Sequence, residues 1–337
     1  MPWGDSMERL CVKVKKRFGE PVRQALAQME LLDNSYRLSA DDDCLYVPVI
    51  DNCPEEVCFN LPHAVELVKH DLQPNKKQVT PESLLGFSPS FEIVGDIAIL
   101  DADEEEPEKV ARALLEFRKS LRVVLQEESG ITGEFRVRSF RLVAGENRTE
   151  TVHRDHGCRY LVDVTRVYFT PRLSTERQRV VLQLKPDDVV VDMFAGVGPY
   201  SIPAAKKCGY VYAIDKNPHA VEYLQKNIEI NRLDNLEAFV ADARDIPQRL
   251  GQVADHVIMN LPHNACDFVD EAVALTKPGG IIHYYAMAHE DDLFGPSLCL
   301  IEGAAKKAGR EFEVLATRSV RSYAPHQYNV CIDMRIN

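Results

Sequence analysis

The sequence predicts an α/β protein. Its C-terminal part reads as a doubly wound, mostly parallel sheet, preceded by two smaller units of mixed α and β structure. Three observations predict this. Val189-Val190-Val191-Asp192 is a β-branched run of the kind buried in a parallel strand. It leads through Met193-Phe194-Ala195-Gly196-Val197-Gly198 to Pro199, a residue at home in the first turn of a helix. Strands and helices then alternate regularly, with strands expected at 210–215, 236–241, 256–260 and 280–287. The tail breaks the alternation. Residues 311–319 and 328–336 read as strands joined only by 320–327, too short for a crossover helix, so this pair is expected to be antiparallel.

In chain order, 7–73 reads as a small α/β unit. Leu10-Cys11-Val12-Lys13-Val14 alternates as a strand. Residues 19–32 carry Val22, Ala25, Leu26 and Met29 on one helical face. A short strand is expected at 44–49 and a helix at 62–70. No chemistry-bearing motif shows here, so the unit reads as either a docking module or a structural one. Residues 74–88 are polar and read as a linker. Residues 91–100 read as a strand pair or a bulged strand, and Pro107 opens a helix to about Arg118. Segments 120–127, 135–143 and 160–164 alternate as strands, and 173–182 as a short helix. The expected boundaries are 1–73, 74–165 and 166–337.

The chain has 337 residues, a hydrophobic share of 45% and a net charge of −12. A large core is available. No apolar run reaches the roughly 18 residues of a membrane span, and the N-terminus lacks an apolar signal region. Nine scattered cysteines without a CxxC pair argue against a disulfide framework or a zinc knuckle, so a reducing cytoplasm is expected. The negative balance alone disfavours a nucleic-acid partner. Its distribution does not. Acid clusters at Asp41-Asp42-Asp43 and at Asp103-Glu104-Glu105-Glu106, whereas arginines recur densely from Arg136 to Arg179. Arginine suits phosphates and base edges. An arginine-rich strand surface laced with salt bridges fits equally well.

The loop after the first strand of the large sheet lacks the third glycine of a dinucleotide fingerprint, and no GK[ST] follows. Asp192, Asp215 and Asp242 end three consecutive strands. Each alone reads as a helix cap. Together they repel a pyrophosphate and favour a cationic ligand rich in hydroxyl and amine groups. A carboxylate after the second strand suits a ribose diol. S-adenosylmethionine carries a sulfonium, an ammonium, a ribose and an adenine amino group. The expected cofactor contacts are Asp192, Phe194, Ala195, Gly196, Val197, Gly198, Asp215, Asp242 and Asn260. Five parallel strands plus a terminal antiparallel pair is the arrangement of Rossmann-like class I methyltransferases. The fourth strand ends Asn260-Leu261-Pro262-His263, which resembles the Asn-Pro-Pro-Tyr motif of amino-methyltransferases acting on planar nitrogens. A plain turn is the alternative.

A wider set of motifs carries a specific resemblance. Gly133-Glu134-Phe135-Arg136-Val137-Arg138, Ala144-Gly145-Glu146-Asn147-Arg148-Thr149, Val167-Tyr168-Phe169-Thr170-Pro171-Arg172-Leu173, Glu176-Arg177, the Asp192–Pro199 loop, Asn260-Leu261-Pro262 and Arg321-Ser322-Tyr323-Ala324-Pro325 closely resemble the archaeal and eukaryotic tRNA (guanine-N1)-methyltransferases acting on guanosine 37. The likeness is strong over 130–337 and loose before it. It implies a monomeric three-part enzyme. The first domain touches the outer corner of tRNA, and the other two grip the anticodon stem-loop. It implies Glu176 as general base, Arg136 as the cation on O6 and Asn260 as the base-edge amide. Tyr168, Arg172 and Pro262 stand with the substrate, and no metal is required. From the residues alone, Glu176 reads as a helix-surface acid paired with Arg172 or Arg179, and Arg136 as a phosphate contact. The chemistry suits the implied roles. Guanine N1 carries a proton that must leave as the methyl arrives, and charge developing on O6 calls for a cation. His263 departs from relatives that carry lysine there. Two further activities belong to the same likeness: methylation of a wyosine precursor, and aminocarboxypropyl transfer to the same tRNA position.

Overall fold

The computed structural model describes residues 7–75, 81–128 and 138–337, without the side chains of residues 60, 82 and 83. The chain divides into two compact units after residue 80.

The first unit is an antiparallel sheet of β1 (Met7–Lys15), β2 (Ser39–Ala40), β3 (Cys44–Pro48) and β4 (Glu66–Leu72) in the order β2-β3-β1-β4, with helices α1 (Gly19–Gln28) and α2 (Val57–Asn60). Val12, Val14 and Val47 pack with Val22 and Leu26 of α1. Two expectations are corrected here. The segment read as a helix at 62–70 is instead largely strand β4, paired residue by residue with β1 from Met7↔Leu72 to Lys13↔Glu66. Val65, Val68 and Leu72 fit a helical spacing, but the open backbone edge of β1 supplies partners that a helix would leave unpaired. The helix read to Leu32 ends at Gln28, because Glu30 turns left-handed (φ 57°) and Leu32 bridges Val49.

The second unit begins with α3 (Pro81–Leu85) and a four-stranded sheet, β5 (Phe91–Val94), β6 (Ile97–Leu100), β7 (Val123–Glu127) and β8 (Phe140–Gly145), in sequential order. α4 (Pro107–Phe117) is the crossover between the parallel strands β6 and β7 and covers them with Val110, Ala111 and Leu114. The strand expected at 135–143 lies partly outside the described residues, and so does Arg136. A hairpin of β9 (Glu150–Asp155) and β10 (Cys158–Asp163) follows, then α5 (Ser174–Gln183). β9 escaped the sequence reading.

The large sheet follows. Its strands are β11 (Val189–Asp192), β12 (Tyr210–Asp215), β13 (Leu236–Val240), β14 (Ala254–Met259), β15 (Thr276–His289), β16 (Phe312–Ala324) and β17 (Gln327–Ile336). Helices α6 (Ser201–Ala205), α7 (Pro218–Asn231), α8 (Ile246–Leu250), α9 (Val269–Leu275) and α10 (Gly295–Lys307) fill the crossovers. The order is β13-β12-β11-β14-β15-β17-β16, with β17 antiparallel to both neighbours. The expected antiparallel tail is therefore present. Its strands run longer than expected and leave only Pro325 and a left-handed His326 (φ 61°) at the turn. Strand order reverses on either side of β11, where open α/β sheets form their crevice. Buried Val94, Ile97 and Val123 join Tyr160, Val190 and Val211 in one continuous hydrophobic cluster, so the β5–β10 segment packs directly onto the large sheet.

Candidate active site

A cavity of about 430 Å3 opens over the carboxyl ends of β11, β12, β13 and β14. Its floor is the loop after β11. Here the Ala195 amide donates to the Ile214 carbonyl (2.7 Å) and the Gly196 amide to Asp215 Oδ2 (2.7 Å). Both loop glycines hold positive φ, 54° at Gly196 and 91° at Gly198. They serve different ends. A Cβ on Gly198 would lie 2.5 Å from Leu224 Cδ1 and 2.9 Å from Ile202 Cγ1, so this position seats the loop on α6 and α7. A Cβ on Gly196 would meet nothing nearer than the Tyr168 carbonyl at 3.9 Å, so its backbone faces open space in the cavity wall.

The three strand-end acids differ in environment. Asp192 is buried behind the loop rather than in the cavity wall, and Ser201 donates to its Oδ2 (2.6 Å). Burial pushes its carboxyl up to about 7, against the bonds from Ser201 and the Phe194 amide. Asp215 lines the cavity and accepts from the amides of Gly196 and Asn217 (2.8 Å). Burial raises its carboxyl too. Asp242 also lines the cavity and caps the short turn after β13 through the Arg244 amide (3.0 Å). That bond lowers its carboxyl, and the charges of Arg244 and Lys216 add to the effect against burial. The helix-cap reading thus holds for Asp242 together with its place in the wall.

Phe194 and Phe268 meet edge to face (5.0 Å between ring centroids) and line the same side, with the Arg244 guanidinium 4.4 Å from the Phe268 ring. Asn260, Leu261 and Pro262 also line the cavity. The turn is held by the Leu261 amide on the Met259 carbonyl (3.0 Å) and the Met287 amide on the Pro262 carbonyl (2.9 Å). Asn260 Oδ1 is buried there with no hydrogen-bond partner among the described residues. Tyr168 completes the wall.

Several expected residues stand away from the cavity. Val197 is buried in the core. Arg172 is exposed, with Nε 3.4 Å from Glu92. Glu176 is buried beside the cavity without lining it. Its carboxylate accepts from Arg179 (Nε at 3.0 Å to both oxygens, Nη2 at 2.7 Å) and from the Tyr285 hydroxyl (2.7 Å). Tyr285 in turn packs against Tyr200, which lines the cavity (5.9 Å between centroids). The Glu176–Arg179 pairing that the helical spacing suggests is present. The arginine band is largely committed to acids: Arg148 to Asp96, Arg177 to Asp155, and Arg138 to Glu92 and Glu127.

The sequence reading missed Arg177, Arg321 and Asn329, all in the cavity wall. Arg177 and Arg321 both lie in motifs that carry the family resemblance. Asn329 carries no local signal and reaches the wall because β17 pairs it with Met287 and Arg321.

This sheet order, with its cavity over the glycine loop at the reversal point, defines a class I, Rossmann-like methyltransferase. Residues 151–315 match the TRM5/TYW2 methyltransferase domain, 11–57 the tRNA methyltransferase 5 N-terminal domain, and 76–149 the TYW2 N-terminal domain. The tRNA (guanine(37)-N(1))-methyltransferase Trm5b of Pyrococcus abyssi is 42% identical, with 97% of this chain and 99% of that protein covered. A solved complex of aTrm5 with tRNALeu is similar at 36% identity and a TM-score of 0.70, over 97% of this chain and all (100%) of that one. Trm5 of Methanocaldococcus jannaschii bound to adenosine is similar at 35% identity and a TM-score of 0.63, over 97% and 99%. A tRNA(Phe) (4-demethylwyosine(37)-C(7)) aminocarboxypropyltransferase of the same organism is 34% identical, over 73% of this chain and 97% of that protein. The chain belongs to the TRM5/TYW2 methyltransferase family.

Proposed function

We propose that this enzyme transfers a methyl group from S-adenosylmethionine to N1 of guanosine 37, beside the anticodon of tRNA. The observation that carries the reading is Asn260 Oδ1, a buried acceptor in the cavity wall without a partner among the described residues. An unpaired buried acceptor costs about 1–3 kcal/mol unless a donor arrives. Guanine offers donors at N1 and N2 on the edge to be methylated, whereas adenine presents an acceptor at N1. An amide oxygen placed at N1 or N2 therefore favours guanine, since adenine offers it a donor only at N6.

The residues present fit the cofactor. Asp215 has spare lone pairs for a ribose diol beyond its two amide bonds. The open Gly196 backbone and the Phe194–Phe268 pair supply a close approach and an apolar wall. Asp192 places a carboxyl behind the loop, and Asp242 one at its far side. When bound, S-adenosylmethionine supplies a methyl group already activated on sulfur. Glu176 takes the N1 proton, and Arg136 stabilises charge on O6. Tyr168 and Pro262 flank the base, and Arg172, on the surface, meets the RNA backbone. The first unit meets the outer corner of tRNA and the remainder grips the anticodon stem-loop. Three successive family matches, 11–57, 76–149 and 151–315, support a three-part division, which we place at 1–73, 74–165 and 166–337, although the last match begins ahead of the final boundary. The protein acts as a monomer in the cytoplasm, a setting that suits its nine free thiols.

The test uses tRNA transcripts bearing G or A at position 37, with cofactor labelled separately on the methyl and on the aminocarboxypropyl group. Methyl label on the G37 transcript alone is expected. Methyl transfer to A37, or aminocarboxypropyl label on G37, contradicts the reading.

A further inference from the structure

Behind Glu176 a line of buried polar side chains crosses the sheet. Arg179 grips Glu176 and also Asp333 on β17, through a short Nη1–Oδ2 contact and an Nη2–Oδ1 bond of 3.1 Å. Gln183, one turn along α5, donates to Asp333 Oδ2 (3.3 Å). Asp333 lies directly across from His283 on β15, whose Nδ1 is 2.7 Å from Oδ1. His283 Nε2 is 3.0 Å from His256 Nδ1 on β14. His256 Nε2 in turn is 3.3 Å from Asp188 Oδ2. The His283 and Asp333 side chains are 0% and 4% exposed.

The geometry fixes a proton count. With each outer ring nitrogen bonded to the carboxylate it faces, His283 to Asp333 at 2.7 Å and His256 to Asp188 at 3.3 Å, each carries a hydrogen. The two inner nitrogens face each other at hydrogen-bond distance, so one of them must carry a hydrogen too. Three protons on two imidazoles make one positive charge, held between Asp188 and Asp333. The His283–Asp333 contact, at 2.7 Å, is closer than the 3.3 Å between His256 and Asp188, which places that charge on His283; burial pushes His256 well below the ordinary imidazole range. Asp333 is held well below the usual carboxylate range. Burial opposes this, but the bond and charge of His283 and those of Arg179 outweigh it.

We propose that the His256–His283 pair, acting through Asp333, sets how tightly Arg179 holds Glu176, so that these four are positioning residues for the proton acceptor. The proposal rests on Glu176 being that acceptor. Arg179 is shared between two carboxylates. Asp333 draws it away from Glu176, and the charge on His283 weakens that pull. The other groups facing the line are Asp255 and Lys185 near His256, the Cys331 thiol near Arg179 and Asp333, and Arg318 and the Tyr285 hydroxyl at Glu176. Burial pushes the Cys331 thiol far up, so it stays neutral.

The sign of each change follows. Without the Asp333 charge, Arg179 serves Glu176 alone, the carboxylate is stabilised and its proton affinity falls. Without the His283 charge, Asp333 claims more of Arg179 and the proton affinity of Glu176 rises. The experiment is single-turnover methyl transfer to G37 tRNA as a function of pH, with saturating cofactor, for wild type, D333N, H283Q and E176Q. The acid limb is expected to move to lower pH in D333N and to higher pH in H283Q, by roughly one unit each. Affinity for S-adenosylmethionine is retained in both. Limbs that stay in place, or move together, overturn the proposal. Loss of the limb in E176Q is expected. A full rate with an intact limb in E176Q instead defeats the acceptor role itself, a separate failure. Should D333N or H283Q not fold, 15N-histidine NMR of the wild type decides: three ring N–H protons on the pair support the proposal, and two overturn it.

Discussion

Gly196 and Gly198 sit two residues apart in the same loop, yet alanine at each is predicted to fail differently. At Gly198 the backbone is left-handed (φ 91°), which costs a side-chain-bearing residue about 1–2 kcal/mol. The added methyl also lands 2.5 Å from Leu224 Cδ1 and 2.9 Å from Ile202 Cγ1, both buried, and such overpacking costs about 1–3 kcal/mol. The sum is about 3 kcal/mol, or roughly 6–12 °C of melting temperature for a unit of this size. At Gly196 only the backbone cost applies, roughly 2–8 °C, but the methyl enters the cavity. G196A is therefore expected to bind S-adenosylmethionine at least about tenfold more weakly, a change of about 1.4 kcal/mol. Calorimetric melting of the ligand-free protein and titration with cofactor read the two effects separately. A G198A variant that melts like the wild type, or a G196A variant with intact affinity, refutes this division of labour.

Three other outcomes follow from the structure. Burial lifts Asp192 to about 7, so the folded state holds its proton at pH values where the unfolded chain has lost it. Its contribution to stability therefore declines as pH rises from about 4 to about 7, by up to about 4 kcal/mol. Melting of D192N against wild type should shift in favour of the variant across that window, and a pH-independent difference contradicts the assignment. N260A is expected to lower kcat/KM on G37 tRNA by about 10–150-fold, and a loss below about threefold removes the amide from base recognition. Asn227 bonds the Leu161 amide (2.6 Å), the Leu161 carbonyl (3.2 Å) and the Val197 carbonyl (3.0 Å) from full burial. N227A should cost about 3 kcal/mol and speed hydrogen exchange in the β9–β10 hairpin before the large sheet. Unchanged exchange there contradicts that role.

The large sheet was legible because its strands announce themselves locally. Val189–Val191 is uniformly β-branched, and an aspartate ends each of the first two strands and follows the third by two residues. The first unit was less legible. Val65, Val68 and Leu72 follow a helical spacing, whereas in β4 Val68 and Leu72 face one side and Leu67 the other, and only the free edge of β1, distant in sequence, decides for the strand. The site divides along the same line. Asp215, Asp242, Asn260 and Pro262 reach the cavity because a strand end fixes their position, and that position could be read. The surroundings of Glu176 could not. Its neighbours Asp333 and Tyr285 arrive from β17 and β15, through pairings that span the length of the methyltransferase domain. Gly198 reads like a cofactor glycine, but its role depends on Leu224, supplied by the helix after the next strand.

The central claim concerns one atom, N1 of one guanosine. Nucleoside analysis by mass spectrometry of a G37 transcript, after incubation with the protein and S-adenosylmethionine, tests it most directly. The account predicts 1-methylguanosine, confined to the fragment carrying position 37. Another methylguanosine isomer, an aminocarboxypropyl adduct, or 1-methylguanosine elsewhere in the chain would contradict it.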